Sequence, residues 1–217
     1  TGYLYGRPDW WEWGHMFVAV NTDKLAITLD LGSERGRELC VELIKWADVV
    51  VENFSPRVVE NWGLDRDGVL AINPNVVYCR MPAFGLTGPW RDRVGFAQTM
   101  EQLTMASITG YADDQPMIPR GPCDPLAGLH GAVAMLTALA ERERTGKGVF
   151  IESTMLEAAL NCCAQPIVEF SAYGRLMSRM GNRSPYVAPQ GAYQCRGFEQ
   201  WIAISIARSY LNAPNIH

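Results

Sequence analysis

The residue with the most chemistry in prospect is Asp124, within Pro119-Arg-Gly-Pro-Cys-Asp-Pro-Leu-Ala-Gly-Leu-His-Gly131. A Pro/Gly-rich loop there runs into a long apolar segment, and Asp124 stands at the junction. Pro125 suits the first helical position, where its missing N–H costs nothing, which places Asp124 at the N-cap. A carboxylate at that point accepts backbone N–H bonds and meets the positive end of the helix dipole. Two kinds of work fit it. One is capping, the commonest job of an Asp at a helix start. The other is nucleophilic attack, by a carboxylate exposed on a loop beside glycine backbone that a substrate can approach closely.

The other reactive side chains offer less. Six cysteines (Cys40, Cys79, Cys123, Cys162, Cys163, Cys195) include no CxxC pair, and several fall on apolar faces. They read as reduced thiols of a cytoplasmic protein rather than a disulfide framework. Cys123 adjoins Asp124, but no base is placed to activate its thiol. His15, His130 and His217 have no ligand spacing, so no metal is expected. His130, one and a half turns into the helix after Asp124, reads as a packed residue. Lys147 between two glycines reads as a helix stop and turn before it reads as a phosphate contact.

Composition narrows the function classes. The chain has 217 residues, is 48% apolar and 19% charged, and carries a net charge of −4. That is ordinary globular composition with room for one large domain and part of a second. The densest charge cluster, Glu141-Arg-Glu-Arg144, is mixed in sign and reads as a solvated helix end, so no nucleic-acid patch appears. No continuous apolar run reaches the about 18 residues of a membrane span, and no signal peptide or lipidation motif is present. The opening Thr-Gly has no initiator Met, and Tyr210–His217 brings no closing element; both ends read as cuts.

The elements that must position these residues are alternately strand and helix. Lys24–Leu31 alternates like a half-buried strand. Ser33 can cap a helix with apolar Leu39, Cys40, Leu43, Ile44 and Ala47. Asp48-Val-Val-Val51 is a buried strand, so a parallel strand–helix–strand unit is expected. Ser55-Pro56 starts a helix and Gly63 stops it. A short helix falls around Val69–Ile72, a turn at Asn73-Pro-Asn75, and another strand at Val76–Met81. Ligands of open α/β sheets bind at the C-terminal strand ends, which makes Asn53 and Phe54 candidates by position; a turn Asn and a packed Phe fit them equally well.

Further along, Gln98–Ser107 reads as helix and 108–123 as a long loop. The helix after Asp124, to Arg144, is apolar nearly all round and is expected to be largely buried, with Gly128 and Gly131 admitting another backbone. Val149–Glu152 is a strand and Thr154–Tyr173 a helix interrupted near Pro166. Ala192–Cys195 and Gln200–Ile206 read as a hairpin. The aromatic opening (Tyr3, Tyr5, Trp10, Trp11, Trp13) needs a surface to pack on.

Taken in order, these pieces resemble the family III CoA-transferases (CaiB/BaiF-type), the group that also holds carnitine-CoA and formyl-CoA transferases and the α-methylacyl-CoA racemases. The resemblance rests on Lys24–Leu31, Ala47-Asp-Val-Val-Val-Glu-Asn-Phe-Ser-Pro56, Asn73-Pro-Asn-Val-Val-Tyr78, Phe84-Gly-Leu-Thr-Gly-Pro89, Asp124 with Gly128, Arg142-Glu-Arg-Thr-Gly-Lys-Gly148, and Gly181-Asn-Arg-Ser-Pro185 followed by Ala188-Pro189. It implies an α/β fold: a Rossmann-like CoA-binding domain with parallel strands over 1–178, without its first strand and helix, and the start of a small α+β domain over 179–217.

The resemblance also implies roles. Asp124 matches the catalytic aspartate. Leu29, Asn53, Phe54 and Met155 match positions lining the CoA site, and Arg93 a basic position for the CoA phosphates. A second basic position of the family falls here on Asn61, and the glycine-rich loop of formyl-CoA transferases does not occur before the chain ends. The implied reaction is acyl-CoA:carboxylate CoA transfer through an aspartyl-CoA thioester, with coenzyme A or acyl-CoA as substrate, a carboxylic acid as acceptor, and an interlocked homodimer. Backbone N–H groups near Gly121 or at the helix start are candidate oxyanion donors. Racemase action would need a His in the loop from Arg93 to Gln98, which has none. A non-catalytic acyl-CoA-binding half of a larger protein is the alternative from another class.

Overall fold

The computed structural model describes Gly6, residues 8–184 and residues 187–206. Tyr3, Tyr5, Pro185 and the terminal stretch Tyr210–His217 lie outside the described residues. The backbone divides into two units, 1–43 and 44–217.

Among its described residues the first unit holds a 3-10 turn, Trp10–Trp13, and a short helix, α1 (His15–Val20). Most of its apolar side chains face outward, Trp13 and Met16 among them. Residues 24–30 form neither helix nor strand and join no ladder among the described residues. The expected strand Lys24–Leu31 and its parallel pairing with the next strand are therefore not formed. Alternation makes a segment two-faced, but a strand also needs a paired neighbour for its N–H and C=O groups. Leu25 and Ile27 are exposed accordingly. Ser33 does cap α2 (Glu34–Trp46): its Oγ accepts the Gly36 N–H at 3.0 Å.

The second unit is built on β1 (Val49–Glu52), α3 (Pro56–Asn61), α4 (Arg66–Ile72), β2 (Val77–Arg80), α5 (Ala97–Leu103) and a 3-10 turn at Met105–Ser107. There follow α6 (Cys123–Thr145), β3 (Val149–Glu152), α7 (Met155–Asn161), α8 (Ala164–Tyr173), β4 (Gln190–Gln194) and β5 (Trp201–Ser205). The order β1-β2-β3 makes a parallel sheet of the α/β kind. Its central strand β2 is buried along its whole length, as a continuous apolar run requires. β4 and β5 form the antiparallel hairpin.

Local chemistry fixes the joints. Asp65 caps α4 by accepting the Gly68 N–H at 3.0 Å. The Asn73 side chain donates to the Ile44 and Ala47 carbonyls at 2.9 and 3.0 Å, closing the end of α2. Arg142 on α6 reaches the Asp48 carbonyl at 3.1 Å and its carboxylate at 3.0 Å, so the far end of α6 is tied to the start of β1. A Cβ on Gly148 would meet the Val76 carbonyl at 2.5 Å, so only glycine lets β3 enter beside β2. The break near Pro166 falls at Cys162–Cys163, which puts the proline in the first turn of α8, where its missing N–H interrupts no intrahelical bond.

α6 departs from expectation. Ala127, Gly131 and Ala138 make its buried face, while Leu129, Val133 and Leu136 are exposed. Small residues set the helix close to the sheet, and its bulky residues point the other way. By length and composition α6 is also long and apolar enough to cross a membrane, although no continuous apolar run in the sequence has that length; it packs here on β2, β3 and α7. Gly128 faces open space rather than another backbone, and Gly131 sits against the Met81 side chain.

Candidate functional site

The three parallel strands end in a charged row. Glu52, Arg80 and Glu152 are register partners across the sheet, at the carboxyl edge where open α/β sheets bind ligands. Each side chain fastens a loop. Glu52 Oε1 accepts from Arg80 Nε at 2.6 Å, with the two side chains only 7% and 3% exposed. Its other oxygen, Oε2, accepts the Phe54 N–H at 2.8 Å. Arg80 Nη2 donates to the Pro56 carbonyl at 3.0 Å. The turn Asn53-Phe54 is thereby held from both sides.

The chain of charges continues outward. Glu60 stands 3.6 Å from Arg80 and also pairs with Arg91. Arg91 Nε donates to the Leu86 carbonyl at 2.8 Å. Glu152 Oε1 accepts the Leu86 N–H at 2.7 Å. Together these contacts fix the loop that leads to Arg93, whose own N–H bonds the Trp90 carbonyl at 2.9 Å.

Above this edge lies a cleft of about 700 Å³. Asn53, Phe54, Arg93, Asp124 and Met155 all line it, together with Phe96 and Gly128. The structure thus brings together five of the six residues singled out in the sequence. All five belong to the second unit; Leu29 is carried by the first, where it is half-buried.

Asp124 does not sit where the sequence placed it. α6 begins two residues earlier than expected, at Cys123, with Pro122 in the cap position and no side-chain cap of its own. Asp124 is in the first turn, exposed, and no hydrogen bond or ion pair among the described residues engages its carboxylate. The capping is done from another element. Glu101 on α5 is fully buried, and its carboxylate accepts the N–H groups of Arg120 at 2.9 Å, Gly121 at 2.9 Å and Cys123 at 3.2 Å. Gly121 is consequently unavailable as an oxyanion donor, against expectation. Pro125 has no N–H, and Leu126 donates to the Pro122 carbonyl at 3.1 Å. Among the described residues, the Asp124 amide is the donor left over in that first turn.

Burial first, and then the nearby Asp124, Glu101 and Cys162, together push the Cys123 thiol up to about 11. A thiol so placed is no nucleophile at neutral pH. His130 is exposed rather than packed, and it is not in the cleft lining. Beneath Asp124, Ala97, Met100, Cys123, Ala159 and Cys163 form one apolar cluster, with Met155 and Phe84 packed against it.

Sequence reasoning missed Glu101 and Arg80. Both carried a signal: Glu101 stands four residues after Ala97 on the apolar face of α5, and Arg80 ends an otherwise apolar strand. A charged residue on a buried face is there to hold something.

The model of CoA-transferase family III matches residues 5–212. The chain belongs to CoA-transferase family III. Within that family it is 32% identical over 211 residues to the succinyl-CoA–L-malate CoA-transferase beta subunit of Chloroflexus aurantiacus, covering 95% of this chain and 51% of that protein. It is 35% identical to the acetyl-CoA:oxalate CoA-transferase of Acetobacter aceti, covering 83% of this chain and 47% of that one. Among solved structures, a CAIB/BAIF family protein from Brucella suis superimposes with a TM-score of 0.75 at 33% identity, over 83% of this chain and 48% of the other. The chain spans about half the length of the curated relatives it matches.

Proposed function

We propose that the protein carrying this chain is an acyl-CoA:carboxylate CoA-transferase and that Asp124 is its nucleophile. The observation that carries this reading is an unengaged carboxylate opening into a cleft at the carboxyl edge of the sheet, between Arg93 and the Asn53-Phe54 turn. Names of relatives support the reaction class: they transfer CoA between acyl-CoA donors and acids such as malate and oxalate.

The Asp124 carboxylate attacks the thioester carbonyl of the donor. The C–S bond breaks, leaving a mixed anhydride and CoA thiolate. The thiolate attacks the aspartyl carbonyl, the donor acid departs as carboxylate, and an aspartyl-CoA thioester remains. An acceptor carboxylate then runs the two steps backwards and leaves as its CoA ester. The relay splits one hard exchange into easier ones, and neither attack needs a metal. The Asp124 amide, free in the first turn, is the helix-start donor suited to the oxyanions. Arg93 serves the CoA phosphates, and Leu29, Asn53, Phe54 and Met155 its remaining contacts.

The interlocked homodimer, the division into a CoA-binding domain over 1–178 and the start of a small domain over 179–217, and the cytoplasmic setting belong to the same reading. Racemisation needs a second base opposite Asp124. The turn from Arg93 to Gln98 supplies none, and His130 is elsewhere on α6.

The test is peptide mass spectrometry of the full-length protein, mixed with a panel of acyl-CoAs and quenched with hydroxylamine. An adduct on the peptide carrying Asp124, absent in Asp124→Ala, is the expected result. CoA binding without any adduct would replace catalysis by a binding role, or by racemisation if deuterium exchanges at the substrate α-carbon.

A further inference from the structure

We infer that Glu101 is the positioning residue for the nucleophile: it fixes the backbone of 120–123 and thereby aims the Asp124 carboxylate into the cleft. The inference rests on the reading of Asp124 given above, and it concerns a side chain that touches neither substrate nor Asp124.

Three observations converge. The loop ahead of α6 is conformationally expensive. Arg120 has φ 59, in the left-handed region that non-glycine residues avoid, and Gly121 follows at φ 131. Such backbone persists only where the surroundings over-determine it. Successive N–H groups in such a loop turn towards a common point and form a concave anion site. Here that point is occupied by the protein's own carboxylate, through the Arg120, Gly121 and Cys123 amides.

The second observation is where Glu101 stands. Its side chain is fully buried on α5, beside Ala97 and Met100 of the cluster under the cleft. A buried carboxylate satisfied by backbone amides is a rigid anchor, because leaving either side unpaired is costly. The third is what the arrangement frees. With the helix start capped from α5, Asp124 has no capping duty and keeps its carboxylate for the cleft. A nucleophile that also capped its helix would have to break those bonds in order to react.

Glu101→Gln keeps the shape of the side chain and reverses one of its two acceptor atoms. Oε1 serves Gly121 and Cys123, whereas Oε2 serves Arg120, so at least one of the three bonds must become a donor–donor clash. Two readouts are taken on the full-length protein and its Glu101→Gln variant. The first is hydrogen exchange of the peptide spanning 118–126, which should be about tenfold faster in the variant with the rest of α6 unchanged. The second is the rate of Asp124 adduct formation from an acyl-CoA, which should fall about 100-fold while the CoA dissociation constant stays within about twofold.

Unchanged exchange in 118–126 would overturn the inference, whatever the adduct does. So would faster exchange with an unchanged adduct rate, since the loop would then be loose without consequence for the nucleophile. If the unmodified protein forms no adduct, the nucleophile reading falls and the aiming role with it, and the exchange data report only a loop anchor. Should Glu101→Gln unfold, Glu101→Asp repeats both readouts with the charge kept and the reach shortened, and full retention of both would count against the role.

Discussion

Two buried glutamates hold the two sides of the cleft, and they are satisfied differently. Glu52 is paired with a buried cation, Arg80, and adds one backbone N–H, that of Phe54. Glu101 has three backbone amides as its partners among the described hydrogen bonds. The first arrangement trades two desolvated charges against each other, so losing one partner strands the other. The second sets one carboxylate against dipoles that belong to a loop, so losing it releases the loop. Similar side chains at similar burial therefore carry different duties: Glu52 and Arg80 hold the fold at the sheet edge, and Glu101 holds a direction.

The largest effect should come from neither glutamate. Asp124→Ala should lower kcat by at least about 10⁴-fold in a CoA-transfer assay of the full-length protein. Its denaturation midpoint should stay close to that of the parent, because Asp124 caps nothing. A large loss of stability on this substitution would mean that Asp124 holds α6 after all, and the contrast between anchoring and chemistry would collapse.

Next comes Arg80→Met, which leaves Glu52 buried without its cation. It should cost about 3–5 kcal/mol of stability in urea denaturation. The double variant Arg80→Met with Glu52→Leu should recover much of that loss, since removing both charges is far cheaper than removing one. If the single variant is as stable as the parent, the pair is not the anchor described here.

A smaller effect is expected at the rim. Arg93 is exposed in the cleft and is fastened by its backbone rather than its side chain. Arg93→Ala should weaken CoA binding about tenfold by calorimetry and leave stability unchanged. The loss should shrink with added salt, as expected of an exposed charge, and should be absent for a dephosphorylated CoA fragment.

Much of this was legible in the sequence because the relevant physics is local. The continuous apolar run at 76–79 specified a doubly covered strand, Ser55-Pro56 a helix start, and the order of elements a parallel sheet with its ligand edge after β1. What escaped was non-local. Lys24–Leu31 has the right alternation, but pairing depends on a neighbour that periodicity cannot supply. α6 looked buried because its apolar residues go all round, yet its small face won the sheet and Leu129, Val133 and Leu136 were left outward. Asp124 read as a cap because Asp before Pro usually is one. Glu101 lies 23 positions upstream, in another helix, and only the folded loop shows that it has taken the job.

The smallest expected effect concerns Cys123, which lies between the two duties. Its amide belongs to the Glu101 anchor, while its thiol is buried, with Sγ 3.8 Å from the Met155 carbonyl. Burial raises that thiol to about 11, with smaller contributions from Asp124, Glu101 and Cys162. The neutral form is therefore the one the fold favours. Its contribution to stability is complete below the ordinary thiol range and is lost as pH climbs towards 11. Raman spectroscopy of a variant keeping Cys123 as its only cysteine should show the S–H stretch persisting well above pH 9 and fading near 11. Cys123→Ser should leave the Asp124 adduct rate within about twofold, because only the amide serves the anchor. An S–H stretch that vanishes near neutral pH would put a thiolate beside Asp124 and make Cys123 a competing nucleophile.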